Sequence, residues 1–177
     1  MHSKIKIINK RDKIMFIIIM LLIIIGILFR VFFYNGSAYE VSNNREDVAK
    51  SYLEQILNCL SDNDEQGLKE LFSKSSQSRE GFDDEISSAM DFFEGKVVSY
   101  SDKIPTKQES TKNGKIILST VTLRSDVTTD KNKNYFIIFN VYLVSNGKTE
   151  GEKIGISWLN ICDMDSDTTI YIADTYQ

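Results

Sequence analysis

Apolar and polar residues follow three different rhythms along this chain. From Ile14 to Tyr34 the sequence is apolar almost without a break. From about Asn43 to Gly95 apolar residues recur every three to four positions, the spacing of one helix face. Asn43 or Asn44 can cap a first helix running to about Leu60, with Val48, Ala49, Tyr52, Leu53, Ile56, Leu57 and Leu60 on one side. Asp64 caps a short second helix carrying Leu68, Leu71 and Phe72. The polar stretch Ser73 to Glu80 reads as a loop. Ile86, Ala89, Met90 and Phe93 mark a third helix, and Gly95 is placed to stop it.

After Gly95 the period shortens towards two. Lys96 to Ile104 reads as a strand ended by Pro105, the only proline. In Lys115 to Val127, residues Ile117, Val121, Leu123 and Val127 face one way, while Ile116, Leu118, Thr120, Thr122 and Arg124 face the other. Asp130 to Asn134 is a polar turn. Tyr135 to Val144 is apolar on both faces, as a central strand would be. Asn146-Gly147 starts another turn, Ile154 to Cys162 is a further strand, and a shorter one follows at Thr169 to Ala173. Three helices before a meander of four to five strands predict an α+β domain with its helices packed on one face of a curved antiparallel sheet.

The first rhythm concerns location. As a helix, Ile14 to Tyr34 reaches about 31 Å, the thickness of a bilayer's hydrocarbon core. Lys4, Lys6, Lys10, Arg11 and Lys13 precede it, and positive charge is retained on the cytoplasmic side, so residues after the span are expected outside the cell. Arg30 lies near the span's end, where its long stem can snorkel to the interface. The layout is a basic cytoplasmic tail (1–13), a transmembrane helix (14–34), a linker (35–43) and an extracytoplasmic domain (44–177). A cleavable signal peptide is the competing reading, because Gly36-Ser37-Ala38 offers small residues before Tyr39. The length of the apolar run favours the uncleaved anchor.

Charge narrows the partners. Residues 1–34 hold six of the 21 basic residues and one of the 25 acidic ones, so the remainder carries 15 basic against 24 acidic. Such a domain repels phosphate backbones, which argues against nucleic acid. The only histidine, His2, stands on the cytoplasmic tail. No imidazole is thus available outside, no nucleophile–base pairing can be read, and no cofactor motif is present. Asp83, Asp84 and Glu85 open the third helix, where carboxylates favour the helix dipole without further purpose. Asp91 and Glu94 read as solvated helix charges. Cys59 and Cys162 can form one disulfide closing a long loop in an exported domain; both fit equally well as small buried hydrophobes.

One run points weakly to a metal. With Asp163 as position 1 of a calcium loop, Asp165 and Asp167 take positions 3 and 5, and Asp174 takes position 12. Thr168 stands where the loop needs glycine, and the flanks read as strands, so an acidic turn explains the same residues. Aromatic residues are plentiful, from Phe82 to Trp158. Periodicity assigns most of them to the core; some can line a cavity, and the outer sheet face offers an apolar patch suited to a protein interface.

Certain segments resemble a known family. Tyr52-Leu53-Glu54-Gln55-Ile56, Asp64 to Ser73, Phe92 to Tyr100 and Ile154-Gly155-Ile156-Ser157 are similar to small exported domains with the nuclear-transport-factor-2-like fold, in particular a family of unknown function found mostly in lipoproteins of Gram-positive bacteria. The resemblance spans about Asn44 to Asp165. It implies a cone-shaped domain and, on the outer sheet face, homodimer contacts. This chain departs from it in having a transmembrane segment in place of a lipidated cysteine. The expected function is a non-catalytic binding or scaffold module, held in the membrane by residues 14–34, that takes a protein partner or small ligand. Two alternatives stand beside it: a scaffold component of a conjugation-type machine, and a small-molecule enzyme working in the cone pocket.

Overall fold

The computed structural model describes residues 45–145 and 150–173. The expected tail, span and linker, the Asn43/Asn44 cap, the Asn146-Gly147 turn and Asp174 lie outside the described residues. Among those described, no helix is long and apolar enough to cross a membrane.

Helix α1 (Arg45–Asp62) buries Ala49, Leu53, Ile56, Leu57 and Leu60. It ends in a left-handed Asn63, and the N–H of Asp64 reaches back to the Cys59 carbonyl at 2.8 Å. That closure satisfies a carbonyl the helix would otherwise leave open. The Asp64 carboxylate then accepts from the Gly67 N–H at 2.8 Å and starts α2 (Glu65–Leu71), as the sequence predicts. The expected Ser73–Glu80 loop instead contains a helical turn, α3 (Lys74–Gln77), giving four α-helices among the described residues where three were expected. Ser73 caps it through Ser76 N–H, and the Ser76 hydroxyl donates to the Ser157 carbonyl at 3.0 Å. These serines are buried because they satisfy backbone groups. Helix α4 (Phe82–Phe92) buries Phe82, Ile86, Ala89 and Met90.

The sheet has six antiparallel strands, one more than the upper expectation. They are β1 (Val97–Asp102), β2 (Thr106–Lys112), β3 (Lys115–Thr129), β4 (Asn134–Ser145), β5 (Gly155–Asp163) and β6 (Thr168–Ile172). The path runs β1-β3-β4-β5-β6, and β2 also pairs with β3. Strand β3 is long enough to take two partners on one edge: β1 along its C-terminal part and β2 along its N-terminal part. Pro105 lies at the break between them. Strand β2 was not anticipated because every residue of it is exposed, so it has no apolar period.

A second correction concerns β3. Register shifts at Ser119/Thr120 against β4, and opposite Ser110/Thr111 of β2, break its alternation. Ile116, Ile117 and Leu118 are consequently all half-buried, where strict alternation would have separated them onto two faces. Beyond the bulge the order is regular. Val121, Leu123 and Val127 join Tyr135, Ile137, Phe139 and Val141 of β4 and Leu159 and Ile161 of β5 beneath the helices. Gly155, at φ +117, lets the start of β5 press on the α2–α3 junction; a Cβ there would stand 2.9 Å from Ser73 N. The Ser73 N–H bonds the Ile156 carbonyl at that contact.

Candidate functional site

Strand β4 divides the domain chemically. Its odd residues from Tyr135 to Val141 are fully buried against the helices. Its even residues, Phe136, Ile138, Asn140 and Tyr142, are half-buried on the opposite face. Register places Trp158 beside Asn140 and Cys162 beside Phe136, on the same outer side. Tyr171, opposite Asn160, extends the patch to β6 and is 43 % exposed. The patch has a polar centre whose bonds are made within it. Asn140 Nδ2 donates to Thr122 Oγ1 at 2.9 Å, and the Ser157 hydroxyl donates to Asn140 Oδ1 at 2.9 Å. At one edge Lys103 lies over the Phe136 ring, 5.2 Å from its centroid, while pairing with Asp126 at 3.2 Å. With Asn140, Thr122 and Ser157 bonded to one another, a second surface can cover this centre without breaking those bonds.

The inner face offers chemistry no comparable room. Phe139, Ile137 and Leu159 are 0 % exposed, and the Tyr135 ring stacks on Phe93 at 4.6 Å and meets Phe92 edge-on at 5.9 Å. The Tyr135 hydroxyl is a polar group within that layer. It donates to the Phe92 carbonyl at 3.2 Å and accepts from the Glu94 N–H at 2.9 Å, so it closes the end of α4. Burial holds its pKa above the usual tyrosine value. An open cleft of about 650 Å³ lies between α1 and β1, lined by Leu57, Asn58 and Ser61 and by the strand from Val97 to Tyr100. Its charged groups are Glu54, 3.4 Å from the Tyr100 hydroxyl, and the Asp62–Lys96 pair at 3.5 Å.

Four of the sequence-derived carboxylates, Asp83, Glu85, Glu94 and Asp163, have a structural place. Asp83 pairs with Lys69 at 2.9 Å, which also binds Glu65 at 2.8 Å. Glu85 accepts from the Ala173 N–H at 2.7 Å and ties the end of β6 to α4, a role no local sequence signal announces. Glu94 stands 3.7 Å from Lys133. Asp163 is turned inward. One of its oxygens accepts from the backbone of Asp165 at 2.8 Å and of Ser166 at 3.3 Å, and the other meets Lys133 at 3.2 Å. The Asp165 N–H, then Lys133, hold the Asp163 carboxyl below the ordinary range against the opposing effect of burial. Asp165 and Asp167 are exposed, and among the described residues no three acidic, histidine or cysteine groups converge on one point. Asp163, the first carboxylate of the weak calcium candidate, builds the β5–β6 turn.

The cysteines are both free thiols. Cys59 belongs to α1 on the inner side and Cys162 to the outer face, so the sheet stands between them and no disulfide joins them. Burial, reinforced by Asp64, pushes the Cys59 thiol up and keeps it protonated, which is the wrong direction for a nucleophile.

A search of curated proteins finds no match to the chain. The sequence profile of a domain of unknown function, DUF5104, matches residues 55–164, from the middle of α1 to just past β5. That match takes in the packed inner layer and most of the outer face described above, and it covers more than half of the sequence: the chain belongs to the DUF5104 family.

Proposed function

We propose that this protein is a non-catalytic binding module of the nuclear-transport-factor-2-like kind, held at the cell membrane by residues 14–34 and displayed outside the cell. The observation that carries the reading is the contrast across β4. The inner face is consumed by packing, while the outer face keeps Phe136, Ile138, Tyr142 and Trp158 half-buried around a self-satisfied polar centre. A protein surface is the occupant this face suits, and a second copy of the chain is the first candidate. Membership of a scaffold in a larger membrane assembly, of the type conjugation machines use, is one form of the same reading. It is tested by co-purification from solubilised membranes.

The anchor rests on the apolar run and its one-sided basic flank. The non-catalytic reading is supported by the Tyr135 hydroxyl being spent on a helix end and the half-buried Cys59 thiol being held protonated. Sedimentation of the Tyr39–Gln177 fragment tests the surface. The wild type is expected to dimerise as concentration rises, and Ile138→Lys to remain monomeric with an unchanged circular dichroism spectrum. A wild type that stays monomeric at every concentration removes self-association.

A further inference from the structure

The outer face of the sheet carries its charges in one corner. Register lays that face out in rows across the strands, about 7 Å apart. One row runs Arg124, Ile138, Asn160 and Tyr171, and the next runs Asp126, Phe136, Cys162 and Thr169. Lys103 joins the first row, where its N–H donates to the Arg124 carbonyl at 2.9 Å, and its ammonium reaches Asp126 at 3.2 Å. Arg124 is exposed beside half-buried Ile138, and among the described residues it forms no ion pair. The Thr122–Asn140–Trp158 row on one side and the Thr128–Asn134 row on the other hold no charge. Among the described residues the remaining charges lie off this face, on the inner side or on the turns at its two ends. Those turns are β3–β4 and β5–β6 at one end, and the β2–β3 tip and Glu150–Lys153 at the other.

A face that meets its own copy must be self-complementary, because a two-fold contact that sets residue i on j also sets j on i. Charge therefore restricts where the axis can run along or across the strands. An axis along the Arg124 row sets Arg124 on itself, a like-charge contact. An axis along β4 lays β3 over β5 of the second copy and faces Arg124 and Asp126 with neutral Asn160 and Cys162. An axis moved towards Tyr142 leaves Phe136 outside the contact. An axis across the strands, between the two rows, sets Arg124 on Asp126 of the second copy and Asp126 on its Arg124. The same axis sets Ile138 on Phe136. It also brings Trp158 over Met164, which is 56 % exposed and lines a shallow groove with Asp126 and Asn134; a thioether against an aromatic ring is a favourable contact.

We propose that two copies of this chain meet through the outer face about an axis between these two rows, fixed by a reciprocal Arg124–Asp126 ion pair. This rests on the self-association reading above and adds to it the axis and the residues that set it. Covering Arg124 without a carboxylate would strand a charge. Covering it with Asp126 of the second copy gives a charge-assisted bond on each side of the axis. Lys103 stays at the rim, where water screens it and it continues to share Asp126.

The test uses the full chain in mild detergent. Energy transfer between two populations labelled at the N-terminus reads the dissociation constant of the dimer, and circular dichroism verifies folding. Arg124→Asp and Asp126→Arg each set like charges against each other on both sides of the axis. Each should raise the dissociation constant on the order of 10- to 100-fold. Combined in one chain, the two substitutions restore opposite charges across the axis, and the double variant should return to within about 3-fold of the wild type. Ile138→Lys should abolish energy transfer. If Ile138→Lys does so but the single reversals leave the constant unchanged, or the double variant is as weak as the singles, the axis is overturned and the outer face stands as the contact. A wild type without energy transfer, or transfer that survives Ile138→Lys, overturns both.

Discussion

The two faces of one sheet, built from alternate residues of the same strands, have been put to different uses. On β4, Tyr135, Ile137, Phe139 and Val141 are fully buried against the helices, whereas Phe136, Ile138 and Tyr142 are only partly covered. The hydrophobicity of the two sets is similar; their neighbours differ. Helices α1 and α4 roof the inner face, and on the outer face the apolar residues surround an Asn140–Thr122–Ser157 network. Burial of the first kind supplies stability, and partial burial of the second kind leaves a surface available for association.

Substitutions on adjacent residues can break that comparison. Phe139→Ala should cost about 3–5 kcal/mol, the range for emptying a large aromatic from a closed core. Chemical denaturation measures it, and a loss below about 1 kcal/mol would show the inner layer to be loose. Next in size is Tyr135→Phe, which leaves the Phe92 carbonyl and the Glu94 N–H without their partner and should cost about 1–3 kcal/mol. Ile138→Lys, one residue from Phe139, should change stability by about 1 kcal/mol or less while abolishing association; denaturation and sedimentation on one sample separate the two effects.

The smallest effect sharpens the account of the acidic turn. The folded Asp163 carboxyl sits below its unfolded value of about 3.9. A depressed acid contributes stability that is fully present above the unfolded pKa and is lost as pH falls through the folded one. The wild type should therefore lose melting temperature below about pH 4, and Asp163→Asn should flatten that decline while lowering stability slightly at neutral pH. Identical melting profiles for the two proteins would remove Asp163 from the turn's support.

Much of this architecture was legible in the residues. Leu53, Ile56, Leu57 and Leu60 announce α1, Asp64 announces the start of α2, and the doubly apolar run from Tyr135 announces a central strand. What escaped shares a physical cause: it lacks an apolar period. Strand β2 is exposed throughout and is held by ladder bonds to β3 and by ion pairs to α1. Helix α3 is made of polar residues whose serines replace missing backbone partners. The bulge at Ser119/Thr120 is a register event with no signature in side-chain type. The outer patch was legible on β4 and distorted on β3 for that reason. Asp163 was visible as part of an acidic turn, but its inward orientation depends on Lys133, thirty residues earlier in the chain.

The central claim is that function resides on the outer face of the sheet and not inside it. Native mass spectrometry of the Tyr39–Gln177 fragment, alongside its Ile138→Lys variant, tests this most directly. The account predicts a dimer without an added small-molecule mass for the wild type, and a monomer for the variant. A monomeric wild type that retains a stoichiometric small molecule, unaffected by Ile138→Lys, would contradict it.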